Sequence, residues 1–361
     1  LKSFLALLSF LLLPFSLAFT SETAGNPSAD QECKAKNLFI IVANGVRYDD
    51  ALGHKMHLYI ENIWTRLRPL GTIFTNFYNT GLTYPLPAQA TLLTGVWHTT
   101  KNPLDVTTRP AFPTFFEYWK KKDSINTCYF AVNKKQFVIL AHSDHREYGS
   151  TYAPLFDTAT ANSLDTSLKN TGMTPMENAI YTTATSYIFK HHPSFVYLNL
   201  DSGSANEAHL NEHECRVDGC EEGGALNTYY ESIILTDTIV YDLWDRIQRD
   251  KVYKDKSIFI FISTHGRHTS DFHGFGDNCR GCQRLNVLII GPGVKKNFIS
   301  KKKRTLIDIC PTVGTLCDIP TPYVKGKVMN EVFEQSAAAR DHDRLFNRDG
   351  FVSDGSRPDS E

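Results

Sequence analysis

The chain is expected to fold as an α/β protein, with a mostly parallel central sheet covered by helices on both faces. Two observations carry that expectation. Apolar runs rich in β-branched and aromatic residues recur at wide spacing: Leu38–Val42, Cys128–Val132, Phe195–Leu200 and Ile258–Ser263, then Val287–Ile290. Runs that are apolar throughout, rather than alternating, suit strands buried on both faces. Between them lie stretches with helical spacing, and strand–helix alternation implies a parallel sheet with helical covers.

The elements follow in order. Leu1-Lys2-Ser3 forms a short basic head, Phe4 to Phe15 an apolar core, and Ser16-Leu17-Ala18 places small residues where a signal peptidase reads. Residues 1–18 therefore read as a secretion signal. A membrane anchor competes, but the stretch contains Pro14 and falls short of the ~20 apolar residues of a spanning helix. No later segment reaches that length, so a secreted or periplasmic protein with no transmembrane span after cleavage is expected. Residues 19–36 are small and polar and read as a linker. The α/β domain is expected over 37–334. Its clearest helix is Tyr229–Arg249, where Ile233, Ile234, Thr236, Asp237, Val240, Tyr241, Leu243, Trp244 and Ile247 form the stripe facing the core. Residues 335–361, rich in Ala, Arg, Asp and Ser without periodicity, read as a disordered tail.

Composition narrows the function. With 361 residues, 42% hydrophobic, 21% charged and a net charge of −1, the chain suits one large globular domain or two small ones. That balance gives no footing for nucleic acid. The basic run Lys295-Lys296 and Lys301–Arg304 reads first as a solvated face and second as a contact for an acidic glycan or lipid headgroup. Export would permit disulfides among the eight cysteines. Cys279-Arg280-Gly281-Cys282 and Cys215 to Cys220 are the close pairs expected to oxidise. A zinc site from His209, His213, Cys215 and Cys220 is the alternative for the second pair.

In parallel sheets ligands sit beyond the carboxyl ends of the strands. The residues just after the strands, Asn44, Asp201, Thr264 and His265, therefore carry the most weight as site candidates.

Several blocks, in order, then identify a resemblance. They are Asn37–Gly45, Thr83–Gly95 ending in Leu92-Leu93-Thr94-Gly95, Pro113–Tyr118, Tyr197–Asp201 with Ile260–Arg267, and Gly291-Pro292-Gly293 with Asp308–Val313 and Ile319–Pro322. Together they resemble the alkaline-phosphatase superfamily of phosphatases, phosphodiesterases and sulfatases. That resemblance implies an alkaline-phosphatase-like fold and two divalent cations held by carboxylates and imidazoles around a hydroxyl nucleophile. Matched residue by residue, Asn44 and Thr264 stand where the family has aspartates, while Asp201 and His265 match. Ala205 stands where an imidazole is expected, with His209 the nearby substitute; Phe275 stands at the last imidazole, with His273 the substitute. The nucleophile position falls on Pro85, and Thr83 could serve if the turn carries two extra residues.

The resemblance thus implies a degenerate site: no cofactor, or a weakly bound divalent metal. Two zinc or calcium ions are expected only if the chain is a hydrolase of phosphate or sulfate esters with a rebuilt ligand set. Otherwise the cleft would hold a small anionic ester or glycan-type ligand. Asp201 and His265 have a second reading as buried hydrogen-bond partners, and Asn44 as a turn residue before Gly45.

Overall fold

The computed structural model describes residues 35–100, 102, 105, 107–132, 135–158, 175–200, 225–269 and 274–334. The expected signal, almost all of the linker and the tail lie outside the described residues, as do Asp201, His209, His273, Cys33, Cys215 and Cys220.

Within the unit Cys33–Glu361, the strands are β1 (Asn37–Ala43), β2 (Gly71–Phe74), β3 (Phe77–Tyr78), β4 (Cys128–Val132), β5 (Leu155–Thr158), β6 (Phe195–Leu200), β7 (Ser257–Ile262), β8 (Val287–Ile290), β9 (Phe298–Ser300) and β10 (Arg304–Thr305). The helices are α1 (Pro85–Thr94), α2 (Phe115–Lys122), α3 (Pro175–His191), α4 (Ala225–Arg249), α5 (Arg280–Gln283) and α6 (Ile309–Cys317). Eight strands form one sheet in the order β5-β4-β6-β1-β7-β8-β2-β9, and β3 pairs with β10 apart from it.

β1 runs parallel to β6 and β7 at the centre, and β4 and β5 extend the parallel set. β8 departs from it and runs antiparallel to both β7 and β2. Among the described residues the one helix between β7 and β8 is the four-residue α5. That is too short to carry the chain back along a face, so the chain re-enters the sheet from the edge where it left. A parallel return would need a longer crossover.

Alternation along each strand divides the core between the two faces. Leu38, Ile40 and Val42 of β1 join Ile258, Ile260 and Ile262 of β7 beneath α1, α2 and α6. Phe39 and Ile41 join Phe259 and Phe261 beneath α3 and α4. The α4 stripe is narrower than its sequence suggests. Ile233, Val240, Leu243 and Ile247 are buried, whereas Ile234 is 47% exposed. One residue of a helix turns the side chain by about 100°, which carries Ile234 off the sheet.

Helix α1 matters most for the site. Tyr84 enters it in extended conformation and Pro85 takes the first helical position, where a missing N–H leaves nothing unsatisfied. Gly95 ends it in the left-handed region at φ 65, a conformation that costs a side-chain-bearing residue about 1 kcal/mol or more. Its amide donates to the Thr91 carbonyl at 3.0 Å.

Candidate functional site

Because β1, β6 and β7 are parallel neighbours, their carboxyl ends meet at one edge of the sheet. Asn44 follows β1, Thr264 and His265 follow β7, and Asn199 sits near the end of β6. Backbone bonds fix their relative positions. The Asn44 amide donates to the Leu200 carbonyl at 3.2 Å, and Gly45, at φ 75, donates to the His265 carbonyl at 3.2 Å.

The side chains at this edge form a buried network of uncharged groups. Thr264 Oγ1 donates to Asn44 Oδ1 at 2.8 Å, and Asn44 Nδ2 donates to Asn199 Oδ1 at 2.9 Å. Asn199 Oδ1 also accepts from Gln89 Nε2 of α1 at 3.5 Å, and Tyr197 OH donates to Gln89 Oε1 at 2.9 Å. Asn44, Gln89, Tyr197, Asn199 and Thr264 are all fully buried. Burying polar groups is tolerable when each is bonded, and these five bond one another through amide, hydroxyl and phenol groups. Burial drives the Tyr197 phenol far above its ordinary value, so it remains a donor.

The turn carrying Thr83 and Pro85 is tied to the same edge. Asn79 Nδ2 donates to the Thr264 carbonyl and to the Leu82 carbonyl, both at 3.0 Å. Thr83 is fully buried, and its hydroxyl donates to the Asp277 carbonyl at 2.8 Å. Pro85 begins α1 and offers no hydroxyl. The His265 ring is buried with Nδ1 2.9 Å from the Gly266 carbonyl and its face against Phe275, centroids 4.8 Å apart. A carbonyl only accepts, so Nδ1 carries a proton at this contact.

One wall of the edge is charged. Arg47 Nε and Nη2 bind the Asp50 carboxylate at 2.6 and 2.9 Å, and Tyr229 OH donates to the same carboxylate at 3.0 Å. Burial works against the Arg47 charge, but Asp50 more than offsets it and holds the guanidinium above its ordinary value. Arg47 Nη1 also donates to the His268 carbonyl at 3.3 Å.

Among the described residues, one group could hold a metal: His268, Asp277 and Cys282, whose ligand atoms lie within 4.8 Å of one another. With three protein ligands it is incomplete, and none of the three was a candidate from the sequence. His268 Nε2 lies 3.6 Å from Asp277 Oδ2. Burial opposes ionisation of Asp277, yet hydrogen bonds from the Cys279 and Cys282 side chains hold its carboxyl below the usual range. Burial, reinforced by Asp277 and Cys279, pushes the Cys282 thiol up.

These contacts correct the expected Cys279–Cys282 bridge. Both are free thiols, Cys279 at the N-terminus of the short α5 and Cys282 within it, and both side chains hydrogen-bond the Asp277 carboxylate. Cys128, Cys310 and Cys317 are also free, each buried in the core on a different stretch of β4 or α6. In the basic run Lys296, Lys301, Lys302 and Lys303 are exposed, as a solvated face requires. Arg304 pairs with the buried Glu331, Nε to Oε1 at 2.7 Å, and Lys302 approaches the same carboxylate at 3.9 Å.

Sequence reasoning missed the polar residues that seal the edge. A signal was present in Asn199, an amide inside the otherwise apolar Tyr197-Leu198-Asn199-Leu200, and in Gln89 within the buried first turns of α1. Such a residue in a doubly covered strand must find a buried partner.

A family model described as Sulfatase matches residues 36–319. No curated relative matches the chain. Among solved structures, a 2-O GAG sulfatase superposes with a TM-score of 0.63 at 13% identity, covering 84% of this chain and 75% of that one. A protein solved with its substrate D-glucosamine-2-N,6-O-disulfate gives 0.59 at 14% identity, covering 84% and 81%. The lipoteichoic acid synthase LtaP from Listeria monocytogenes gives 0.57 at 15% identity, covering 84% and 76%. These likenesses establish the fold. Among the described residues, no helix is long and apolar enough to cross a membrane.

Proposed function

Because the chain belongs to the sulfatase family, we propose that it keeps the family's cleft but has lost two-metal hydrolysis, and that the cleft binds a small anionic ester or glycan-type ligand without turning it over. The observation that carries this reading is the Asn44 carboxamide, bonded on one side by the Thr264 hydroxyl and on the other to the Asn199 amide. Hard cations need anionic oxygens that both fill coordination sites and offset charge. Of the matched positions at this edge, Asn44 and Thr264 carry neutral groups aimed at each other.

Names of the similar structures support the ligand class: a GAG sulfatase, a complex with a disulfated glucosamine, and a lipoteichoic acid synthase. Residues 1–18 support export. The competing reading makes the chain a phosphate- or sulfate-ester hydrolase using Thr83, with Asp201, His265, His209 and His273 as rebuilt ligands. It requires the Thr83 hydroxyl to release the Asp277 carbonyl and turn toward a metal.

The test is a panel of aryl phosphates, phosphodiesters and sulfate esters, run on the full chain with zinc, calcium, magnesium or manganese. No metal-dependent turnover is expected. Turnover that vanishes with chelator and in Thr83→Ala would overturn the proposal.

A further inference from the structure

We propose that His268, Asp277, Cys279 and Cys282 form a structural zinc site that clamps the loop after β7 to the turn preceding β8. This site lies apart from the residues matched to the family's metal ligands, and it stands or falls independently of the function proposed above.

The geometry comes first. A tetrahedral zinc with bonds of about 2.0–2.3 Å sets its ligand atoms roughly 3.3–3.8 Å from one another. His268 Nε2 and Asp277 Oδ2 are already 3.6 Å apart, and the Cys282 sulfur lies within 4.8 Å of both ligand atoms. Small side-chain rotations would close the remaining gap. Cys279 lies outside that group of three and would have to rotate inward to supply the fourth ligand. The Cys279 side chain hydrogen-bonds both Asp277 and Cys282, and its sulfur accepts from Thr269 Oγ1 at 3.5 Å.

The ligand chemistry selects the ion. Two thiolates, an imidazole and a carboxylate form a mixed soft and borderline set that favours zinc over calcium or magnesium, which take oxygen ligands. The Cys-x2-Cys spacing of Cys279 and Cys282 is itself a common half of a zinc site. On binding, each thiol gives its proton to water and the sulfur lone pair to the metal, so the balance needs no oxidant.

The backbone is built to hold the ligands in place. Gly266 donates to the Cys282 carbonyl at 3.0 Å. A side chain at Gly266 would put its Cβ 2.0 Å from the Gly281 carbonyl oxygen, and one at Gly281 would put its Cβ 2.3 Å from the Arg267 carbonyl oxygen. Two glycines therefore let the segment carrying His268 press directly on the segment carrying the cysteines. Arg47 secures the His268 carbonyl from the far side. The clamp would also fix Asp277, whose carbonyl receives the Thr83 hydroxyl, and so hold the floor of the cleft.

Cobalt(II) titration of the reduced, chelator-stripped full chain tests the proposal. One cobalt per chain is expected, with a thiolate-to-cobalt charge-transfer band and tetrahedral d–d absorption, both displaced by one equivalent of zinc. Cys282 is fully buried, so Cys282→Ser could fail by misfolding. Cys279→Ser and Asp277→Asn alter more accessible side chains and are expected to weaken uptake at least tenfold with the fold intact by circular dichroism. No uptake, a spectrum without thiolate character, or uptake unchanged in Cys279→Ser and Asp277→Asn overturns the site. So does a quantitative Cys279–Cys282 disulfide in the protein as secreted. Metal-dependent ester turnover would instead count against the proposed loss of hydrolysis, and would leave the cobalt spectrum as the measure of this site.

Discussion

The Thr264 hydroxyl donates to the Asn44 carboxamide oxygen at 2.8 Å. Two strand ends that a two-metal hydrolase would arrange around a cation here hold each other directly. The same carboxamide donates onward to Asn199, so both of its polar atoms have neutral buried partners.

Restoring the family carboxylate should therefore harm the protein. In Asn44→Asp, a carboxylate oxygen would replace the amide nitrogen that lies 2.9 Å from Asn199 Oδ1. Two buried acceptors would then face each other. A loss of about 1–3 kcal/mol in denaturant unfolding is expected, with no recovery on adding zinc, calcium or magnesium and no gain of turnover, since groups that act as one unit do not return singly. A variant as stable as its parent, or one rescued by a divalent cation, would show that the edge still accepts a metal.

Thr83 is expected to act through structure. Thr83→Val keeps the shape but leaves the Asp277 carbonyl without the donor it has at 2.8 Å. Stability should fall by about 1 kcal/mol, while ligand binding by the cleft is retained. Thermal unfolding and calorimetric titration with a sulfated disaccharide check the two halves separately.

The Arg304–Glu331 pair gives a pH dependence with a definite sign. Burial opposes the Glu331 charge, but the hydrogen bond and charge of Arg304, with Lys302 nearby, hold its carboxyl below the ordinary 4.5. A depressed carboxyl contributes stability that is fully present above that ordinary value and is lost as pH falls through the lower folded-state value. Glu331→Gln should thus cost most at neutral pH, and the gap between variant and parent should close as acid is added below about pH 4.5. A gap that stays constant from pH 7 to pH 3 would remove the pair from the account.

Gly266→Ala tests the backbone contact beneath the candidate zinc ligands. The new Cβ would meet the Gly281 carbonyl oxygen at 2.0 Å and Arg47 Cα at 3.3 Å, and neither obstacle is a flexible side-chain end. A loss of about 1–3 kcal/mol is expected, with chymotryptic cleavage appearing first near Phe275. An unchanged unfolding midpoint would mean the two segments separate at little cost.

The strands show how far local sequence reaches. Cys128–Val132, Phe195–Leu200 and Val287–Ile290 match β4, β6 and β8 end for end, because continuous apolar runs bounded by polar turns have few other uses. The short β2, β5 and β9 escaped notice. β2 is buried but broken by Gly71 and Thr72, and the edge strands β5 and β9 are partly exposed, so none leaves a continuous apolar run. The direction of β8 was also invisible, since it depends on the path of the connection and not on the strand's own residues.

At the site, the sequence by itself determined the losses: Asn44, Thr264 and Pro85 carry their chemistry wherever they lie, and no fold can give an amide the charge of a carboxylate. It also placed Asn44 and His265 at strand ends, because apolar runs stop where side chains meet solvent or a cleft. Tertiary structure decided who bonds to whom. Asn44 and Asn199 are 155 positions apart, and Asn44 and Thr264 are 220, so their network exists only once β1, β6 and β7 align in register. The same holds for His268, Asp277 and Cys282, whereas spacing alone reads Cys279 and Cys282 as a disulfide pair. Their convergence comes from two glycine-lined segments pressed backbone to backbone, a proximity set by packing that no local pattern encodes.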